Sequence, residues 1–360
     1  MKKGYLVLES GDLFEGTHVG QHTHTTGEVV FNTGMTGYQE MLTDPSYAGQ
    51  ILTFCYPLIG NYGVNKQDDE GPALHLSGVV LSHLATQPSH YLSTKTFLKH
   101  MNDSGIPVLA DVDTRAVVKK IRHAGTMRGV LTLNPDDVSF TPKLQGLDLI
   151  KKVSSEKVEH YKGSGPHVVL INYGSKKSIL TALLHAGCEV TVVPYHITFN
   201  ELKSLKPTGV VLSNGPGNPM ALKPYFNEIK KISETYPTLG ICLGHQLIAL
   251  AHGAETEKLL FGHRGGNHPV KELETGKVWM TSQNHSFVVK EASIDTTKFE
   301  VSYRNVNDKS VEGLKAKHLP IETVQFHPEA HPGPTDTEHI FDRFIHKIKH
   351  AGESSYAITY

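Results

Sequence analysis

Several things are scarce in this chain of 360 residues, and each shortage excludes a class of protein. There are three cysteines, Cys55, Cys188 and Cys242, too few and too scattered for a disulfide framework. They fit a reducing compartment. No apolar run approaches the roughly 18 residues of a membrane span. The opening run from Tyr5 to Leu8 stops at Glu9, short of the roughly 7–15 apolar residues of a secretory signal, so a cytoplasmic location is expected. Neither charge sign is in excess: Lys plus Arg is 35 and Asp plus Glu is 36, a formal net charge of -1. A protein held to nucleic acid or to an anionic membrane by a basic surface is therefore not expected. Charged residues at 20% and apolar residues at 38% are those of a globular chain, not a disordered one.

Recognisable nucleotide and metal spacings are missing as well. The loops at 174–178 and 213–219 are glycine-containing, but neither carries Gly-Lys-Ser/Thr at the phosphate-loop distance. Histidine is frequent, at 23 residues, and His22 and His24 form the closest pair. No cysteine or carboxylate completes a zinc spacing around them, so no metal site is assigned and most histidines are read as surface residues.

The length suggests two domains. The most linker-like stretch, Glu-His-Tyr-Lys-Gly-Ser-Gly-Pro-His over 159–167, places a domain at 1–158 and a second at 166–354. Beyond it, short apolar runs at 168–172, 190–193, 209–212 and 238–242 alternate with helical spacing at 176–186, 200–205 and 245–252. That alternation predicts an α/β domain, a mostly parallel sheet with helices on both faces and sites at the carboxyl ends of its strands. Further strands are expected at 277–281, 287–290 and 321–326. A last helix is expected behind a capping box at Thr335–Glu338, with Phe341, Phe344, Ile345 and Ile348 as its apolar stripe. The first part reads as a smaller mixed α+β domain. It has a hairpin through 5–14, strands at 28–31 and 79–82, and a helix over 115–123 capped near Asp113.

Three segments carry chemistry. In Leu-Gly-Ile-Cys-Leu-Gly-His-Gln over 239–246, small residues stand two before and two after a cysteine, between a strand and a helix. This is a nucleophile elbow with cysteine in place of serine. The glycines permit a sharp turn, the helix N-terminus favours thiolate, and the N–H of Leu243 is available to an oxyanion. A free cysteine is more often a small buried hydrophobe, and Cys55 and Cys188 are read so. For Cys242 the elbow outweighs that reading. In Gln-Phe-His-Pro-Glu over 325–329, Pro328 holds His327 extended, and residues i and i+2 of an extended segment share a side. Glu329 can then orient the imidazole of His327. Alone this would be an ordinary proline-rich turn; together with the cysteine it completes the logic of acyl transfer. In Ser213-Asn-Gly-Pro-Gly217, Gly215 could supply a second oxyanion donor. His245 and His285 are given packing or loop roles, and His331 a surface role.

Gly-Ile-Cys-Leu-Gly-His-Gln with the later His-Pro-Glu resembles the triad, or class I, glutamine amidotransferases over about 167–350. The first domain narrows this. Phe-Asn-Thr-Gly-Met-Thr-Gly-Tyr-Gln-Glu over 31–40 and Leu-Thr-Asp-Pro-Ser-Tyr over 42–47 look like the N-terminal domain of the carbamoyl phosphate synthetase small subunit. The segments at 261–270 and 328–334 fit the same family. The resemblance implies Cys242 as nucleophile, His327 as acid/base and Glu329 as its partner. It implies glutamine held by Ser46 of the first domain and by Gly215, Gly217, Leu243, Gln246, Asn284, Ser286 and Phe287. It implies no cofactor in this chain, and a large-subunit partner that uses ATP, magnesium and bicarbonate for arginine or pyrimidine synthesis. Three positions depart from the family pattern: Ser286 in place of Gly, His331 in place of Ser, and Asn172-Tyr173 in place of an acidic-aromatic pair. An amidotransferase of another synthase (for anthranilate or GMP) would lack this first domain, a stand-alone cysteine hydrolase would need neither domain nor partner, and a non-catalytic scaffold would not need the triad.

Overall fold

The computed structural model describes residues 2–20, 23–136, 138–141 and 145–354. By contact density the chain divides into Met1–Gln145 with Leu259–Gly265, and Gly146–Lys258 with Gly266–Tyr360. This division precedes the expected boundary at 158. The stretch at 159–167 is not a free linker, because Glu159–Tyr161 pairs as an edge strand and Ile150, just upstream, is buried in the second unit's core. Among the described residues no helix is long and apolar enough to cross a membrane.

The first unit is a closed barrel. Its strands are β1 (Lys2–Leu8), β2 (Leu13–Val19), β3 (Thr25–Asn32), β4 (Gln50–Phe54), β5 (Gly78–Val80), β6 (Val108–Ala110) and β7 (Met127–Thr132), in the order β1-β2-β6-β5-β4-β3-β7. Pairings of β3 with β4, β4 with β5 and β5 with β6 are parallel, and the rest antiparallel. Period-two alternation sorts the strand residues into two cores. Leu6, Val29, Ile51 and Leu131 join Val117 and Ile121 of helix α1 (Thr114–Ala124), whereas Val30, Leu52 and Val79 join Tyr38, Met41 and Phe97. The Asp113 carboxylate accepts from Ala116 N–H at 2.9 Å and caps α1. Closure explains why the sequence shows so few long strands here: a barrel leaves no edge and tolerates three-residue strands.

The second unit is a ten-stranded sheet. Its strands are β8 (Glu159–Tyr161), β9 (His167–Asn172), β10 (Glu189–Pro194), β11 (Gly209–Leu212), β12 (Thr238–Ile241), β13 (Thr256–Glu272), β14 (Val278–Val289), β15 (Phe299–Asn305), β16 (Val311–Ala316) and β17 (Ile321–Val324). The order is β8-β10-β9-β11-β12-β17-β16-β15-β13-β14. The parallel part is confined to β10, β9, β11, β12 and β17. The expectation of a mostly parallel sheet is corrected by an antiparallel extension through β16, β15 and β13. The two short strands expected at 277–281 and 287–290 are one continuous strand, β14, whose polar middle hid it.

Helices cover both faces. Val168, Leu170, Val211 and Val324 pack against α3 (Lys177–His185) and α7 (His339–Ser354). On the other face Val169, Ile171, Val210 and Leu212 pack against α4 (Phe199–Ser204), α5 (Phe226–Thr235) and α6 (Leu243–Ala251). A short helix, α2 (Leu147–Val153), precedes β8. α7 starts at His339, not behind the expected capping box: Glu338 N–H bonds the Thr335 carbonyl and closes a turn instead. The chain moves from β9 to β10 on one side and β11 on the other. Loops leaving β9, β11, β12 and β17 therefore converge at their carboxyl ends, where open α/β sheets form sites.

Candidate active site

Cys242 stands where β12 ends and α6 begins, with φ 52° and ψ -102°. A non-glycine residue in that region is strained and is held by its surroundings. Its N–H donates to the Val324 carbonyl of β17 at 2.8 Å, and Gly244 N–H donates to the Ser213 carbonyl at 3.1 Å. The flanking glycines are required by close approach. A Cβ on Gly244 would lie 2.2 Å from the Leu212 carbonyl oxygen, and one on Gly240 would lie 2.7 Å from Ile248 Cδ1. The Cys242 sulfur is buried and lies 3.7 Å from the Asn284 carbonyl oxygen on β14. As the first residue of α6, Leu243 presents an N–H with no intrahelical acceptor.

His327 follows β17. Its N–H donates to the Ser282 carbonyl at 2.9 Å, which ties it to β14. Its Nδ1 lies 2.6 Å from Glu329 Oε1, with both side chains buried. The i and i+2 spacing across Pro328 thus brings imidazole and carboxylate together as the sequence predicts. Burial opposes charge on His327. The Glu329 carboxylate and then the Cys242 sulfur more than reverse this and hold the ring's pKa well above its ordinary value. Among the described residues Nε2 has no hydrogen-bond partner, which leaves that nitrogen for the sulfur or a reacting group.

The sequence reading missed Lys176. It sits at the N-cap of α3, buried, with Nζ 3.1 Å from Glu329 Oε1, and it donates to the Ala330 carbonyl. Its N–H donates to Asn214 Oδ1 at 3.0 Å, so the loop after β11 fixes it. Burial would raise the Glu329 pKa; Lys176, then His327, lower it to about 2. The available signal was a lysine after Gly174-Ser in a strand-to-helix turn, which by itself resembles a failed phosphate loop.

The remaining expected residues fall in four places. Gly215 is pressed so closely between the Tyr173 carbonyl and Leu243 that a Cβ would lie 2.4 Å from the former and 2.8 Å from the side chain of the latter. Gly217 takes φ 87°. Gln246 on α6 donates from Nε2 to the Phe287 carbonyl at 2.8 Å and to Gln325 Oε1 at 3.0 Å. Asn284, Ser286 and Phe287 lie together on β14, Asn284 buried and the other two half-buried. Ser46 belongs to the first unit, in a buried turn where its N–H donates to Asp44 Oδ1 at 2.8 Å. His245 is wholly buried, within 2.8 Å of the Thr323 hydroxyl, and burial pushes its pKa down to about 3. It is a neutral packing residue under the elbow. His331 is exposed. His22 lies outside the described residues.

A buried cysteine at a strained elbow, a histidine biased toward its charged form and a carboxylate paired to that histidine are the parts of cysteine-dependent acyl transfer. Residues 169–347 match the family model described as glutamine amidotransferase class-I. Residues 6–131 match carbamoyl-phosphate synthase small chain, CPSase domain. The chain is 49% identical over 358 residues to the carbamoyl phosphate synthase arginine-specific small chain of Halalkalibacterium halodurans, covering 99% of this chain and 100% of that one. It is 50% identical to the arginine-specific small chain of Bacillus subtilis over 96% of this chain and 97% of that one. It is 48% identical to the pyrimidine-specific small chain of the same organism, over 96% of each. The chain belongs to the family of carbamoyl phosphate synthase small chains.

Proposed function

We propose that this chain hydrolyses the side-chain amide of glutamine at Cys242 and passes the ammonia to a large subunit that makes carbamoyl phosphate from bicarbonate. The thiolate of Cys242 attacks the amide carbon. The N–H groups of Leu243 and Gly215 receive the developing oxyanion. His327 protonates the departing ammonia, which leaves a glutamyl thioester on Cys242. The same ring then takes a proton from water, hydroxide attacks the thioester, and glutamate leaves as the thiolate returns. Glu329 keeps the ring oriented and charged, and Lys176 keeps Glu329 ionised. In the second unit glutamine is held by Gly215, Gly217, Leu243, Gln246, Asn284, Ser286 and Phe287, while Ser46 is named only by the family resemblance.

The observation that carries this reading is the buried contact of His327 Nδ1 with Glu329 Oε1 at 2.6 Å, set beside a cysteine at a positive-φ elbow. Structural cysteines have no need of such an arrangement. The chain itself is read as needing no cofactor, with ATP and magnesium belonging to the partner. Carbamoyl phosphate would serve arginine or pyrimidine synthesis. Free thiols at Cys55, Cys188 and Cys242 support a reducing, cytoplasmic setting. The test is acid quenching of the chain during turnover of isotopically labelled glutamine, followed by peptide mapping. Label on the Cys242 peptide that is absent in Cys242→Ala supports the proposal; label elsewhere, or none under steady turnover, overturns it.

A further inference from the structure

The polar middle of β14 forms a directional chain of hydrogen bonds that the reaction scheme does not use. The Thr281 hydroxyl donates to the His268 carbonyl at 2.8 Å, so its oxygen is left to accept. Gln283 Nε2 lies 3.1 Å from that oxygen and 2.9 Å from Glu312 Oε2. Both neighbours are acceptors, which fixes the amide with nitrogen toward them and Oε1 turned away. Asn305 Nδ2 donates to the other carboxylate oxygen, Glu312 Oε1, at 3.0 Å. Gln283 Oε1 then faces His285 Nε2 at 2.7 Å, and a carbonyl-type oxygen can only accept. At the far side of the ring, His285 Nδ1 lies 2.9 Å from the Phe287 carbonyl oxygen, again a pure acceptor.

Each ring nitrogen of His285 therefore meets an acceptor, and a neutral imidazole has one donor. We infer that His285 is a doubly protonated positioning residue, its charge matched through Gln283 by the buried carboxylate of Glu312. Turning the Gln283 amide over would make His285 neutral, but it would set Oε1 against the occupied Thr281 oxygen and against Glu312. Glu312 is fully buried, and a carboxylate in that setting needs donors and a counter-charge. The chain of bonds gives it Gln283 and Asn305 as donors, and a ring nitrogen of His285 lies within 4.8 Å of its carboxylate as a cation.

The consequence reaches the proposed substrate pocket. The Phe287 carbonyl accepts from His285 Nδ1 and from Gln246 Nε2 together, so the β14 segment carrying Asn284, Ser286 and Phe287 is clamped to α6. The second proton on His285 is what keeps that clamp and the Gln283 bond at once. This part rests on reading Asn284 to Phe287 as glutamine-holding; the protonation state does not.

The experiment is two-bond proton–nitrogen correlation spectroscopy of the full chain labelled with nitrogen-15 histidine, with His285→Asn used only to assign the ring signals. At about neutral pH, where an ordinary histidine is mostly neutral, both ring nitrogens of His285 should read as protonated. One unprotonated nitrogen in the unmodified chain overturns the inference, whatever the chain's activity, and that measurement needs no variant to fold. In Glu312→Gln the amide chain keeps its direction but the charge is gone. His285 should then lose a proton, and KM for glutamine should rise about tenfold, the loss of one charge-assisted hydrogen bond, with a smaller change in kcat. A ring still doubly protonated in that variant overturns the pairing with Glu312. An altered ring with unaltered KM detaches the charge from the pocket.

Discussion

Lys176 Nζ and Glu329 Oε1 form a buried ion pair at 3.1 Å, on the same carboxylate oxygen that faces His327 Nδ1 at 2.6 Å. One oxygen thus serves a permanent cation and the ring that must cycle its proton. Lys176 lies in the turn after β9 and Glu329 beyond β17, so the fold brings them together from opposite ends of the second unit's sequence. Lys176→Gln removes the cation and leaves the carboxylate buried with one fewer partner. Stability should fall by about 3 kcal/mol, and the Glu329 pKa should move up from its lowered position. The acid limb of kcat/KM for glutamine then shifts to higher pH. An acid limb that stays in place would mean that Lys176 does not hold Glu329 ionised.

The charge on His327 also has a stability signature. Its folded pKa is raised, to about 10, above the ordinary 6.5. Its contribution is therefore full below about 6.5 and is lost as pH rises through the folded value. Glu329 has the opposite sign: its contribution is full above its ordinary 4.5 and is lost as pH falls toward about 2. Urea unfolding of the chain and of His327→Gln across the alkaline window should show the wild-type advantage shrinking by up to about 1.4 kcal/mol per pH unit. A difference that is flat with pH there would show that the ring is neutral in the fold.

Gly244→Ala reverses a common expectation. In most helix interiors alanine is more stable than glycine by about 1 kcal/mol. Here the new Cβ would meet the Leu212 carbonyl oxygen at 2.2 Å, a backbone atom of β11 that cannot rotate away. The variant should lose about 1–3 kcal/mol, and the elbow should lose activity with it. A lowered urea midpoint together with reduced glutamate release checks this; a midpoint at or above wild type would show that the elbow has room to give.

How much of this was legible in the sequence depended on how local each feature is. The elbow is written in five consecutive residues, Gly240 to Gly244, and the His327–Glu329 pair in three. They follow the short strands Thr238–Ile241 and Ile321–Val324, and the neighbouring apolar run 209–212 appears in the structure with the same bounds. Lys176 was illegible because its partner is far away in sequence and no spacing marks it. β14 was legible only at its ends, since Thr281, Gln283 and His285 are polar and yet buried against one another. The barrel was hidden because β5 and β6 have three residues each, too short for a periodic signal, and because a run of parallel pairings closes onto a run of antiparallel ones.

Removal of the nucleophile separates the two activities of the assembled enzyme. In Cys242→Ala, glutamine-dependent carbamoyl phosphate synthesis with a large subunit should fall by about 10⁴-fold or more. Synthesis from added ammonia should persist, because that step uses none of the residues at the elbow. Parallel loss of both would show that Cys242 supports assembly and not chemistry.

The most direct test of the account measures glutamate released from glutamine by this chain, alone and then with a carbamoyl phosphate synthetase large subunit, ATP and bicarbonate. A site that delivers ammonia to a partner should be fully assembled when the acceptor is ready. The account predicts a weak rate alone that rises sharply in the mixture, with one carbamoyl phosphate formed for each glutamate. A glutamate rate indifferent to the large subunit, or glutamate formed without carbamoyl phosphate, would contradict it.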